Sequence, residues 1–148
     1  MIHSSNLLAL LCCLVAFGSI SGQEPPGDQG SRTGKTDSAE GVAFFEKRIR
    51  PVLVAECYAC HSTEKVKKVK GGLALDSRDG VRKGGDSGPA IVPGSPARSL
   101  LIKALGHDDP ELAMPPKKKL DAAVVRDFED WIRMGAPDPR DGSKAAPK

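Results

Sequence analysis

The pentapeptide Cys57-Tyr58-Ala59-Cys60-His61 decides how this chain can fold, because it dictates what the core is built around. Its C-x-x-C-H spacing is the attachment signature of a c-type haem. Two thiols three positions apart can each form a thioether to one edge of a porphyrin, and the imidazole that follows can coordinate the iron. The sequence therefore predicts one covalent haem c, held by Cys57 and Cys60, with His61 as an axial iron ligand.

Two other uses of a C-x-x-C pair compete with haem attachment. A structural zinc site needs four ligands, whereas the chain beyond its apolar N-terminal segment offers two cysteines, His61 and the distant His107. A thioredoxin-like redox pair is the remaining alternative, although it needs no His after the second Cys and no βαβ pattern surrounds this one. Haem attachment is the interpretation that uses both thiols and the imidazole.

The N-terminus resembles an export signal. Residues 7–17 (LLALLCCLVAF) form an uninterrupted apolar run of 11 residues, followed by small residues at 18–22. This length suits a signal peptide and falls short of the ~20 residues that span a bilayer. No Lys or Arg precedes the run, so an uncleaved membrane anchor is the alternative. We expect residues 1–22 to be a signal peptide for a periplasmic or other extracytoplasmic protein.

Composition divides the rest of the chain into one domain between two flexible ends. Residues 23–40 are rich in Pro, Gly, Ser and charge, which predicts a flexible leader, and the stretch from Pro137 has the same character. We place one small domain at residues 41–140 and a disordered tail at 141–148. Aromatic residues make up 4% of the chain, so a buried porphyrin would have to supply much of the apolar core.

The first of three predicted helices leads into the haem motif. It runs from about Ala39, with apolar residues at helical spacing. Pro51 lies inside this pattern, and a proline removes a backbone donor and clashes with the preceding turn. A kink or a break into two helices is therefore predicted near Arg50.

Two further helices and a long glycine-rich loop complete the all-α prediction. One helix has Ser95 as N-cap and stops at Gly106, and the other begins after Asp121 and ends before Gly135. Residues 65–94 show no strand pattern and are predicted to be loop. The glycines of the segment 84–89 (GGDSGP) are expected to let the backbone pack against the haem. The fold class is therefore all-α, with long connections around a cofactor.

The second axial ligand must come from a Met or a His further along the chain. Filled axial positions are typical of electron-transfer haems, and Met opposite His raises the reduction potential. Met114 is followed by Pro115 and Pro116, which stiffen its loop. Met134 falls in the last turn of a predicted helix, and His107 lies in a polar stretch where we expect it to be exposed. We favour Met114 and keep the other two as alternatives.

Four segments carry a resemblance to a known family: FFEKRIRPVLVAECYACHS (44–62), GGLALDSRDGVRKGGDSGPAIVPGSPARSLLIKA (71–104), ELAMPPKKKL (111–120) and FEDWIRMGAP (128–137). In these segments the chain is similar to the planctomycete-type cytochrome c domain, itself similar to class I cytochromes c. They cover nearly the whole predicted domain in family order. The resemblance implies a small cytochrome c-like helical fold, haem on Cys57 and Cys60, and His61 and Met114 as axial ligands.

The resemblance also implies a function. We expect an exported monohaem c-type cytochrome that carries single electrons between redox proteins and is not an enzyme. A haem-based sensor or a peroxidase-like enzyme, with a distal site that opens, is the alternative. Family members often carry this domain at the front of much larger chains, whereas here the domain stands alone, so any enzymatic partner is expected to be a separate protein.

The lysines predict the kind of partner. Formal net charge is +3, but lysines cluster after the haem motif, at positions 65, 67, 68 and 70, and after Met114, at positions 117–119. A basic rim around the haem edge would steer an acidic redox partner, whereas ordinary solvated lysines are the alternative. Nucleic-acid binding is not expected, since no aromatic residues interleave with these charges. Membrane contact is expected only if the N-terminal segment is uncleaved.

The aromatic residues near the C-terminus are predicted to pack in the core. Phe128 and Trp131 share one face of the third predicted helix. The indole N–H of Trp131 could instead bind a haem propionate.

Overall fold

A computed structural model of the chain describes residues 38–140. The predicted signal peptide, the predicted leader up to residue 37 and the predicted tail at 141–148 lie outside this range. Within residues 38–140 the regular structure is helical, and strand-like pairing is confined to a bridge between Gly85 and Gly88. The predicted all-α fold class is confirmed.

The first helix, here called the N-terminal helical run, extends without a break from residue 39 to residue 61. The Ser38 side chain caps its start by accepting a hydrogen bond from the Gly41 N–H at 3.1 Å. The run alternates between α- and π-helical segments, which are Ala39–Phe44 (α), Phe45–Ile49 (π), Arg50–Val52 (α), Leu53–Cys57 (π) and Tyr58–His61 (α).

Pro51 changes the hydrogen bonding of this run and does not break it. In a regular α-helix its ring would clash with the carbonyl of Lys47. The segment Phe45–Ile49 is instead a wider π-helix, and the N–H of Arg50 bonds the Phe45 carbonyl five residues back. The prediction of an irregularity near Arg50 is confirmed, and its form is a π-helical segment through which the chain continues to His61.

Three α-helices follow, Arg78–Lys83, Leu100–Gly106 and Ala122–Arg133, together with 3-10 turns at Lys70–Gly72 and Pro96–Arg98. The helix Arg78–Lys83 lies in the stretch predicted to be loop, so that prediction is wrong at this point. Ser77 caps the helix and Val81 is its buried residue. Six residues with one apolar anchor are too short to show a helical period. No helix within residues 38–140 has the length and apolarity of a membrane span.

The helix Leu100–Gly106, here called the central helix, starts later than predicted. Ser95 was the predicted N-cap, but it precedes the 3-10 turn Pro96–Arg98, and the α-helix begins only after Ser99. Ser99 has an extended backbone, with φ −87 and ψ 121, and it separates the 3-10 turn from the α-helix. The helix ends at Gly106 as predicted.

The helix Ala122–Arg133, here called the C-terminal helix, matches its prediction. Its N-cap is Asp121, whose side chain accepts from the Ala123 N–H at 2.7 Å. Trp131 is fully buried, and its ring centroid lies 5.7 Å from that of Phe45. The indole N–H of Trp131 donates to the Pro137 carbonyl at 2.8 Å. Trp131 is therefore a core residue, and the alternative of a propionate contact is wrong because its donor is already used.

The segment after the C-terminal helix folds back into the core. Ala136 has φ 54, and from there Pro137 and Asp138 are buried. The guanidinium of Arg140 donates to both carboxylate oxygens of Asp138. Flexible character from Pro137 onward was predicted from composition, and it is wrong for residues 137–140. From sequence alone, an aspartate and an arginine in a polar stretch are expected to be solvent-exposed. Here they form an ion pair and are buried together.

Arg140→Ala should lower the free energy of unfolding by about 3–5 kcal/mol, since it leaves the Asp138 carboxylate buried without its cation. The two side chains are 10% and 2% exposed. Arg133→Ala is the matched control, because Arg133 pairs with Asp130 where both side chains are more than half exposed. That change should cost less than about 1 kcal/mol. Urea unfolding of the full-length variants measures both changes. Equal losses of unfolding free energy in the two variants would contradict a stabilising role for the buried Arg140–Asp138 pair.

Candidate cofactor site

All four residues that the sequence predicts as haem attachment or iron ligands line one cavity of about 410 Å³. Cys57, Cys60 and His61 reach it from the end of the N-terminal helical run. Met114 reaches it from the loop after the central helix. The cavity volume falls within the roughly 300–1,000 Å³ typical of ligand and cofactor sites.

The cavity wall is mostly aliphatic and suits a large apolar cofactor. Its polar side chains besides the predicted ligands are Glu56, Lys70, Ser87 and Glu111. Its apolar side chains are those of Leu73, Leu75, Ala90, Leu100, Leu101, Ala104, Leu105, Leu112, Pro115 and Pro116. Two thiols, an imidazole and a thioether therefore face a largely apolar space, and this donor set fits a covalently attached haem.

One short extended segment holds the imidazole of His61. The ring Nδ1 lies 3.1 Å from the carbonyl oxygen of Leu73. A carbonyl only accepts, so Nδ1 carries the proton and the lone pair of Nε2 is left to bind a metal. The N–H of Leu75 also donates to the His61 carbonyl at 2.7 Å. Ring and backbone of His61 are thus oriented together, as is typical of a metal-ligating histidine.

Asp76 extends this support to the turn that follows His61. Its Oδ2 accepts from the hydroxyl of Thr63 at 2.9 Å and from the N–H groups of Thr63 and Glu64. Burial raises the pKa of Asp76, but hydrogen bonds from Ser62, Thr63 and Glu64 outweigh it, so the net pKa is lowered. The ionised carboxylate is the form that holds the turn.

Burial raises the pKa of the Cys57 thiol to about 11, with a smaller contribution from the charge of Glu56. Reactive cysteines of thiol redox catalysts have the opposite shift, because their thiolate is the nucleophile. Cys57 is therefore a neutral thiol at neutral pH. This argues against the thioredoxin-like alternative for the Cys57/Cys60 pair.

The backbone of Met114 is hydrogen-bonded on both sides. Its N–H donates to the Ala104 carbonyl at 3.0 Å, and its own carbonyl lies 3.0 Å from Nε2 of His107. His107 was predicted to be exposed, but it is half-buried against this loop. Neither His107 nor Met134 lines the cavity. The structure thus places Met114 with the other predicted site residues and places the two alternative ligands elsewhere.

Glycine backbone forms part of the cavity wall, at Gly71, Gly85 and Gly88. A Cβ at Gly85 would lie 2.2 Å from the Gly71 carbonyl oxygen, so no larger residue fits there without a backbone shift. The glycine-rich stretch was predicted to pack its backbone against a cofactor, and it does line the cofactor-sized cavity.

The fold and the site define a small all-α domain that presents two thiols and an imidazole to an apolar cavity. Residues 57–118 match the family described as planctomycete cytochrome C, a range that begins at Cys57 and includes Met114. The resemblance predicted from the sequence is confirmed over this segment. Comparison with curated proteins and with solved structures gave no significant match.

Asp76→Asn should lower stability at pH 7 and flatten its decline in acid. A carboxylate whose folded pKa lies below the ordinary value of about 3.9 contributes stability above that value, and this is lost as pH falls through the folded pKa. Asp79→Asn, an exposed aspartate on the next helix, is the control and should keep the wild-type slope. Denaturant unfolding from neutral pH to pH ~2 tests this. Parallel curves for wild type and Asp76→Asn would refute it.

Proposed function

We propose that the chain is an exported monohaem c-type cytochrome that carries single electrons between redox proteins. The observation that carries the proposal is the meeting of Cys57, Cys60, His61 and Met114 at one apolar cavity. The match to a cytochrome c family supports haem and electron transfer as its chemistry. Bound haem supplies a one-electron iron couple.

Each predicted site residue has a role in holding that cofactor. Cys57 and Cys60 would hold the haem through thioethers, and His61 would offer Nε2 to the iron while its Nδ1–H donates a hydrogen bond to the Leu73 carbonyl. Met114 would offer its thioether as the second iron ligand. The aliphatic wall would shield a bound haem from water, and together with a Met ligand this favours a raised reduction potential.

The anchoring of Met114 favours a carrier over an enzyme. A sensor or a peroxidase-like enzyme needs a distal position that opens to a small ligand. Both backbone polar groups of Met114 are bonded, and Pro115 follows it directly. A loop held in this way keeps the thioether in place through a redox cycle, which suits a closed site.

Export is proposed from the sequence of residues 1–22, where an apolar run of 11 residues precedes small residues. Covalent haem attachment outside the cytoplasm agrees with this placement. An uncleaved anchor would hold the same domain at the membrane surface.

Expression with a haem-attachment system should give a c-type pyridine haemochrome with one haem per chain. In the Met114→Ala variant the weak red Met–iron charge-transfer band should vanish, and the ferrous protein should bind carbon monoxide readily. Met134→Ala is the matched control and should keep the wild-type spectrum. Absence of covalent haem would refute the proposal, and loss of the band in Met134→Ala would move the ligand there.

Exposed lysines near the cavity support a basic docking surface for an acidic partner. Lys70 lines the cavity. Lys67 and Lys117 are exposed, and each lies three positions from a residue that lines it, Lys70 and Met114 respectively. Lys118 differs from these, since it lies 3.0 Å from Glu56 and is neutralised in part by that contact. We therefore expect the rim to be carried mainly by Lys70 and the exposed lysines that precede it in sequence.

The rate of oxidation by ferricyanide should fall as salt rises from ~0.01 M to ~0.1 M, over which the Debye length shrinks from about 30 to about 10 Å. With a cationic cobalt(III) complex as oxidant the rate should rise, because screening removes repulsion. Lys70→Gln should weaken both trends more than Lys47→Gln, an exposed lysine on the N-terminal helical run. Equal effects of the two variants would show that net charge acts without a localised rim.

A further inference from the structure

His107 lies where the central helix ends, and its side chain is committed to the Met114 loop. The residue is left-handed, with φ 59 and ψ 22, and its backbone N–H reaches back to the Ala104 carbonyl. Its ring Nε2 lies 3.0 Å from the carbonyl oxygen of Met114. Because a carbonyl only accepts, Nε2 must carry a proton and donate it to this bond.

The end of the same helix also accepts a hydrogen bond from the backbone N–H of Met114. The Met114 N–H donates to the Ala104 carbonyl at 3.0 Å. Ala104 and Leu105 themselves line the cavity. The helix end that forms part of the cavity wall therefore holds both backbone groups of the residue that offers the thioether.

The prolines after Met114 make this attachment necessary. Pro115 and Pro116 have no N–H, so neither can anchor the loop by donating a backbone hydrogen bond. The Met114 carbonyl and N–H are thus the polar groups next to the thioether that can fix its position. Met114 is a half-buried residue, and loss of the His107 donor would leave its carbonyl without that partner.

The geometry points to His107 as a positioning residue that keeps the Met114 thioether at the cofactor by donating to the Met114 carbonyl. This inference rests on the proposed function, in which Met114 is the second axial ligand. His107 itself does not line the cavity, so the role inferred for it acts through Met114. Its loss should raise the fraction of protein in which the distal site is open.

His107→Gly is the decisive variant, because glycine adopts the left-handed conformation without strain and removes the whole side chain with its ring donor. Losing one hydrogen bond should raise the open fraction, and with it the carbon monoxide affinity of the ferrous holoprotein, about fivefold. The red Met–iron band of the ferric form should weaken in proportion. His107→Gln restores an N–H donor of similar reach and should lie closer to wild type on both measurements.

Ala136→Gly is the matched control, since Ala136 is also left-handed, with φ 54, and does not line the cavity. It makes the same kind of backbone change and should leave both measurements at wild-type values. Should the Gly variant yield no holoprotein, His107→Asn takes its place, because asparagine tolerates this conformation and is shorter than histidine.

Two results would overturn the inference, and they are distinguishable. Wild-type carbon monoxide affinity and band intensity in His107→Gly, with both altered in Met114→Ala, would refute the positioning role and leave the proposed ligand intact. No change in either measurement for Met114→Ala would refute Met114 as the ligand, and the role of His107 with it.

Discussion

The buried pair of Arg140 and Asp138 is the interaction on which the rest of the domain depends. The Arg140 guanidinium lies over the ring of Phe45, 4.7 Å from its centroid, and donates to the hydroxyl of Tyr58 and the carbonyl of Leu75. One side chain thus joins the N-terminal helical run, the segment that lines the cavity and the end of the domain. A guanidinium can do this because its five donors point in fixed directions and its flat face packs on an aromatic ring.

The two predicted iron ligands come from distant parts of the chain, and both are held by hydrogen bonds from nearby segments. His61 is oriented by the backbone of residues 73–75, and Met114 by the end of the central helix. In both cases the supporting groups belong to the cavity wall or lie directly behind it. A cavity wall and a side chain that share hydrogen bonds cannot move independently, so the predicted ligands are preorganised at the cavity.

This organisation bears on electron transfer. A carrier gains from a site whose ligands do not exchange and whose surroundings change little between oxidation states. Apolar side chains around the cavity and a Met114 backbone bonded on both sides meet that requirement. In the proposed carrier, exposed lysines would speed the encounter with an acidic partner without altering the site, because steering acts over a Debye length.

Local sequence signals predicted the parts of the structure that depend on neighbouring residues. The C-x-x-C-H motif, the all-α class, the N-cap at Asp121 and the irregularity at Pro51 all follow from residues a few positions apart. The short helix Arg78–Lys83 was not predicted, because six residues are too few to show a helical pattern of apolar residues. Met114 was favoured over His107 and Met134 by the prolines that follow it, which is also a local signal.

Only the tertiary structure decided the contacts between residues far apart in the chain. Asp138 and Arg140 have the composition of a flexible tail, and they are buried because Tyr58, Leu75 and Phe45 meet them in space. His107 sits in a polar stretch, and its bond to Met114 exists because the intervening loop turns back. The sequence by itself determined which chemistry the chain can perform, through the type and spacing of its haem-motif side chains. The fold decided how those side chains are held, since that depends on long-range hydrogen bonds that no local pattern encodes.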